Sequence, residues 1–192
     1  VFACVFVLLV PFIQVYTKGV NDVEYVRVPL ALLITAAEAM YCIRQPYLTL
    51  VYATGSYEET KMGALVEALL NLSISIILLQ VIGIEGVIIG TLVANIFRTI
   101  QFAIFISKHI LHRSVLVVVK RFAWVVGCIV TIGIVSLTLE NVIIFSVSWI
   151  GWLEHAIIVF IISLIITVLA SLLCYKNDFM DLVNTFFKTF KR

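Results

Sequence analysis

The stretch from Tyr52 to Arg98, YATGSYEETKMGALVEALLNLSISIILLQVIGIEGVIIGTLVANIFR, decides the fold. It reads as a polar loop, an apolar helix over Met62–Ile82, a short turn at Gly83–Glu85, and a second apolar helix over Gly86–Ser107. Each run has roughly the 20 residues that an α-helix needs to cross the hydrocarbon of a bilayer. Glu67, Asn71, Asn95 and Arg98 lie inside these runs. Polar and ionisable side chains at membrane depth are costly, so they mark a pathway, a relay or an internal ion pair.

The rest of the chain has the same character. Of its 192 residues 63% are hydrophobic and only 12% charged, and the mean hydropathy is +1.19. Soluble domains are near half apolar and a quarter charged, so this composition belongs to an integral membrane protein. A net charge of +2 is too small to suggest a nucleic-acid partner. Six runs qualify wholly or in part as membrane helices: Val1–Tyr16, Val28–Val51, Met62–Ile82, Gly86–Ser107, Phe122–Leu139 and Glu154–Tyr175. The expected fold is all-α, a polytopic transmembrane bundle of about five complete spans and one truncated span. The chain begins at Val1 inside an apolar run, with no basic segment before it and no small-residue cleavage site after it. That argues against a signal peptide and for a start within a helix, as in the C-terminal part of a larger protein.

Lys and Arg sort strongly by side. The loops 17–27, 83–85 and 140–153 hold only Lys18 and Arg27. The opposite side holds Lys61, Lys108, Arg113, Lys120, Arg121, Lys176, Lys188, Lys191 and Arg192. The basic side is expected to be cytoplasmic, with the C-terminus inside. Within Lys176–Arg192, Phe179, Leu182, Val183, Phe186, Phe187 and Phe190 recur at helical spacing. They predict an amphipathic helix lying in the cytoplasmic interface. Trp149 and Trp152 suit an aromatic belt at the outer surface.

Counting outward from Gly83–Glu85, Asn71 lies 12 residues before the turn and Arg98 lies 13 after it. At 1.5 Å per residue the two share a depth, with Glu67 one turn nearer the cytoplasm. A Glu67–Arg98 contact supported by Asn71 is therefore expected. Glu67, Asn71 and Ser75 make one polar stripe, and Thr91, Asn95 and Arg98 make the matching one. Two readings stay open: the charges neutralise each other and set the register of the bundle, or they line a substrate path. Gly86 and Gly90, continued by Ala94, form a small-residue face for close helix packing.

On Val28–Val51, Glu38 lies about 15 Å from the outer end, near the midplane. It shares a face with Tyr41 and Gln45, which suits a cavity-facing polar residue or a proton carrier. Arg44 is nearer the cytoplasm, within reach of Glu67 or of an anionic phosphate. Pro46 is expected to kink or loosen this helix.

Other chemistry finds little footing. Cys4, Cys42, Cys128 and Cys174 are scattered through apolar segments with no CxxC, which suits core packing and no metal. His109 and His112 form an HxxH pair without a third ligand, in a basic loop. No Ser–His–Asp or Cys–His set assembles, and Gly-rich phosphate loops are absent. The sequon Asn71-Leu-Ser73 falls inside a span and is fortuitous.

Phe12-Ile-Gln-Val-Tyr-Thr-Lys-Gly19 with Asp22 and Tyr25, Tyr41-Cys-Ile-Arg-Gln-Pro46, and Ala53-Thr-Gly-Ser-Tyr57 through Lys61 resemble bacterial polysaccharide flippases. So do Glu67, Asn71, Ser75, Gly83-Ile-Glu-Gly86, Gly90-Thr91 and Arg98. The family belongs to the multidrug/oligosaccharidyl-lipid/polysaccharide exporter superfamily, and the resemblance covers roughly Val7 to Ser107. It implies a two-lobe transporter with a central cavity. Residues 1–107 would form most of the C-terminal lobe, 108–121 a basic cytoplasmic loop, 122–175 two additional peripheral helices, and 176–192 the interfacial helix. It also implies an undecaprenyl-pyrophosphate-linked oligosaccharide as cargo, the bacterial cytoplasmic membrane as location, and a missing N-terminal lobe of the same protein as partner. Alternating access would move the cargo without an enzymatic step or a cofactor, and proton or sodium coupling is left open. Glu38, Arg44, Glu67, Asn71, Asn95 and Arg98 are then the substrate-path candidates. A multidrug exporter of the same superfamily is the alternative, expected to have a more aromatic and less cationic cavity. An intramembrane glycan-processing enzyme would need a catalytic cluster, and a non-transporting scaffold would need no buried charge.

Overall fold

The computed structural model describes residues 1–20, 22–140, 146–176 and 180. It is 86% helix, and the described residues contain no strand. The helices are α1 (Phe2–Tyr16), α2 (Val28–Ala53), α3 (Tyr57–Ile82), α4 (Ile84–Phe105), α5 (Val115–Glu140) and α6 (Trp149–Cys174). One π-helical turn, Ile106–Ile110, prolongs α4. Among the described residues four helices are long and apolar enough to cross a membrane: α3, α4 with its π turn, α5 over Val115–Ser136, and α6. The protein is thus of the multi-pass membrane type. The other two expected segments form helices but fall outside that group. α1 is apolar and short. α2 is as long as α3, but Glu38, Arg44, Gln45 and Pro46 dilute its apolar character.

Several helices extend past their expected ends. α3 starts at Tyr57 rather than Met62, with Glu58 and Glu59 in its first turn, where carboxylates complement the helix dipole. α6 starts at Trp149, capped by the Ser148 hydroxyl, which accepts from Gly151 N at 3.1 Å. α5 starts at Val115, so the second half of the basic segment 108–121 is helical. α2 continues through Pro46 to Ala53. The interfacial helix expected over 176–192 lies outside the described residues except for Lys176 and Met180.

The chain forms two compact units. One contains α2, α3 and α4. Here α4 is central, packing on α3 along one face and on α2 along another. The reversal between α3 and α4 takes one residue, Gly83, at φ 72° and ψ −145°. Such a positive φ strains any residue with a Cβ, so glycine alone turns the chain this sharply. Against α3, Gly86 and Gly90 leave no room for a side chain. A Cβ at Gly90 would run into the Ser75 hydroxyl and lie 3.1 Å from Asn71 O. At Gly86 it would strike the Leu78 backbone. The small-residue face works as packing, as expected. Against α2, Phe102 and Ile106 bury with Val51, flanked by Tyr47, Leu48, Leu50, Phe105 and Ile110.

The other unit joins α1 to α6 and to α5 from Trp124 onward. Phe12 packs edge-on against Trp149 and Trp152, and the Trp152 indole donates to Leu8 O at 3.3 Å. The Cys4 thiol donates to the Ser163 hydroxyl at 3.2 Å. Trp124 of α5 meets Tyr175 edge-on. Trp149 and Trp152 therefore anchor α1 on α6.

Candidate functional site

Three helices each contribute one charge to a single cluster. Glu67 from α3 accepts from Arg44 Nη1 of α2 through Oε1. Its Oε2 lies 3.4 Å from Arg98 Nε of α4. Two guanidinium groups thus share one carboxylate, and the triad carries an excess positive charge. The Arg44 side chain is 11% exposed, Arg98 8% and Glu67 24%, so the open side of the cluster is at Glu67.

The two arginines are held very differently. Arg98 Nη1 donates to Thr60 O at 2.8 Å and to Gln101 Oε1 at 2.7 Å. Its guanidinium also sits 4.2 Å from the Phe102 ring centroid, joining the triad to the apolar core below it. Arg44 has Glu67 as its one hydrogen-bond partner among the described residues. Its guanidinium lies 4.9 Å from the centroid of Tyr41, and its Nε is buried without a partner.

The expected contact between Glu67 and Arg98 is present, and Arg44 meets Glu67 as the sequence allowed. The expected support from Asn71 is absent. Asn71 Oδ1 instead accepts from Ser75 Oγ at 3.1 Å and lies 3.4 Å from Thr91 Oγ1. It sits a turn away from the charges, beside Gly90. The turn consumes only Gly83 and not the three residues 83–85 expected from the sequence. The α4 partner of each α3 residue therefore shifts, and Glu67 rather than Asn71 stands opposite Arg98.

Asn95 faces away from this stripe. Its Nδ2 donates to Ala37 O of α2 at 3.1 Å, and Thr99 Oγ1 reaches Met40 O at 3.4 Å one turn further on. Both are buried ties between α4 and α2. Glu38 is exposed and has no ion pair or hydrogen bond among the described residues. The structure thus brings Arg44, Glu67 and Arg98 together, and places Glu38, Asn71 and Asn95 elsewhere.

Gly63, Thr60 and Gln101 belong to the site and went unnoticed in the sequence. A Cβ at Gly63 would collide with the Gln101 amide, so the missing side chain gives Gln101 the room from which it accepts from Arg98. Gly63 sits four residues before Glu67, on the same stripe as Asn71 and Ser75. Extending that stripe by one turn finds it. Thr60 acts through its backbone carbonyl, which no sequence pattern marks.

Among the described residues no group of three or more His, Cys, Asp or Glu side chains could hold a metal ion. His109 stacks on Phe105 and its Nδ1 lies 3.2 Å from Phe105 O. Compared with protein-family models, curated proteins and solved structures, the chain matches none. The geometry of the triad therefore carries the functional argument.

Proposed function

We propose that this chain is the C-terminal portion of a membrane flippase that translocates an undecaprenyl-pyrophosphate-linked oligosaccharide by alternating access. The observation that carries the reading is the excess cationic charge of Arg44–Glu67–Arg98 inside a bundle of apolar helices. Buried charge is ordinarily paired, and a pyrophosphate is a counter-charge suited to guanidinium groups. The resemblance of Val7–Ser107 to polysaccharide flippases supports the same cargo. In this reading α1 and α2 span the membrane as well, the basic side and C-terminus face the cytoplasm, and the bacterial cytoplasmic membrane is the location. The first lobe of the transporter completes the cavity.

The test uses the complete product of the gene in a strain deleted for it. Arg44→Ala is expected to stop surface polysaccharide while lipid-linked precursor accumulates in the inner leaflet. Normal export with normal precursor levels sinks the transport role of the triad.

A second reading is favoured by one observation, the number of contacts that hold Arg98. With Thr60 O, Gln101, Glu67 and Phe102 around it, Arg98 is a clamp between α3 and α4. In that reading the triad sets helix register and meets no cargo.

A further inference from the structure

The two readings divide the triad between its arginines, and we propose that Arg44 alone is the anion-binding arm. Glu67 occupies Arg44 until a phosphoryl oxyanion displaces it, and Glu67 remains on Arg98 throughout. The inference rests on the flippase reading for its cargo and deepens it by assigning the site within the triad.

Four observations lead there. Arg98 offers no wholly free two-pronged edge, because its Nη1 serves two acceptors, its Nε faces Glu67 and its face covers Phe102, which leaves Nη2 alone for another acceptor. Arg44 has capacity to spare. It is 9% exposed as a residue, yet among the described residues its Nε is buried with no partner, and Glu67 takes only Nη1. The Nε–Nη edge of a guanidinium is a two-pronged donor matched to two oxygens of one phosphate or carboxylate. A single carboxylate oxygen on Nη1 leaves that match unmade. Glu67 is also the most exposed of the three groups, at 24%, so it is the member free to move aside.

Glu67 has a second anchor, and this makes the exchange inexpensive. When an incoming anion takes Arg44, the carboxylate keeps Arg98 at 3.4 Å and is not left as an isolated buried charge. The anion in turn neutralises the excess cation. Each guanidinium then has an anion of its own, whereas before the exchange the two share one carboxylate. The Tyr41 ring, its centroid 4.9 Å from the Arg44 guanidinium, adds a cation–π contact that does not depend on Glu67.

A phosphoryl oxyanion can come from the diphosphate of a prenyl-linked cargo or from an ordinary phospholipid headgroup. The experiment separates them. The complete protein is placed in nanodiscs of phosphatidylcholine and titrated with farnesyl diphosphate, with farnesol as the uncharged control. Glu67→Gln removes the competitor and is expected to tighten farnesyl diphosphate binding about tenfold or more, the scale of one charge-assisted hydrogen bond. Arg44→Gln is expected to weaken it by at least a similar factor. Arg44→Lys, which keeps the charge without the fork, is expected to recover only part of the loss. Monodisperse elution of each variant checks folding. Unchanged or weaker binding by Glu67→Gln, or wild-type binding by Arg44→Gln, overturns the exchange.

Discs doped with phosphatidylglycerol give the second arm. Unchanged affinity there supports the prenyl diphosphate as occupant. Loss of affinity in wild type but not in Arg44→Gln supports the exchange and assigns Arg44 to the headgroup. The export assay fails independently. Tight, Glu67-gated binding alongside normal export in Arg44→Ala cells rejects the flippase reading and keeps the anion arm. Lost export without diphosphate binding does the reverse.

Discussion

Replacing either arginine of the triad by methionine removes the same charge from the same carboxylate, yet the two substitutions are expected to differ in cost. Arg98→Met loses two hydrogen bonds, at 2.8 and 2.7 Å. Bonds within membrane proteins average about 0.6 kcal/mol each, so this pair contributes on the order of 1 kcal/mol. The desolvated stacking on Phe102, at 4.2 Å, adds about 1 kcal/mol. The ion pair to a partly exposed Glu67 adds on the order of 1 kcal/mol more. The expected total is about 3 kcal/mol. Arg44→Met loses one ion pair and a contact to an exposed tyrosine, on the order of 1–2 kcal/mol. It also removes the burial cost of an Nε with no partner among the described residues, which offsets much of that loss, while relief of the repulsion between the guanidinium groups is common to both substitutions. The net is expected to be within about 1 kcal/mol of zero. Reversible unfolding in mixed micelles with increasing dodecyl sulfate measures both, and the gap should be about 2 kcal/mol. Equal costs, or a larger one for Arg44, would show that Arg98 is not the clamp and refute the division of roles.

Gly90→Leu is expected to force α3 from α4 at Ser75 and to cost about 1–3 kcal/mol in the same titration. Gly133→Ala, in open space on α5, should be neutral or stabilising by up to about 1 kcal/mol. Asn95→Leu removes the tie to Ala37 O and should cost on the order of 1 kcal/mol, with transport retained, because Asn95 faces α2 and lies outside the triad. Loss of export from a stable Asn95→Leu protein returns Asn95 to the substrate path.

Much of this organisation is legible along the chain, because membrane helices are selected by length and apolar composition, which are local properties. The helical runs, the Gly86–Gly90 face and the meeting of Glu67 with Arg98 all follow from spacing. Helix ends were less legible. The stretch Tyr57–Lys61 looks like a loop by polarity, and Lys120–Arg121 cuts the apolar run Val115–Val119 off from the one that follows, but helical hydrogen bonding continues into water as readily as it stops at the membrane surface.

The sequence by itself determined that this is a multi-helix membrane protein with costly charges in its apolar runs, since composition and period need no knowledge of neighbours. Only the tertiary structure decided which charges meet and which of them are satisfied. A single-residue reversal at Gly83 set the register of α3 against α4, moving Asn71 to Ser75 and Thr91 and bringing Glu67 level with Arg98. The packing of α2 then added Arg44 with one edge unmet. Satisfaction of a guanidinium depends on backbone carbonyls such as that of Thr60 and on room such as that left by Gly63. Neither is encoded by residue type alone, because a carbonyl is common to every residue and space is a property of the partner helix.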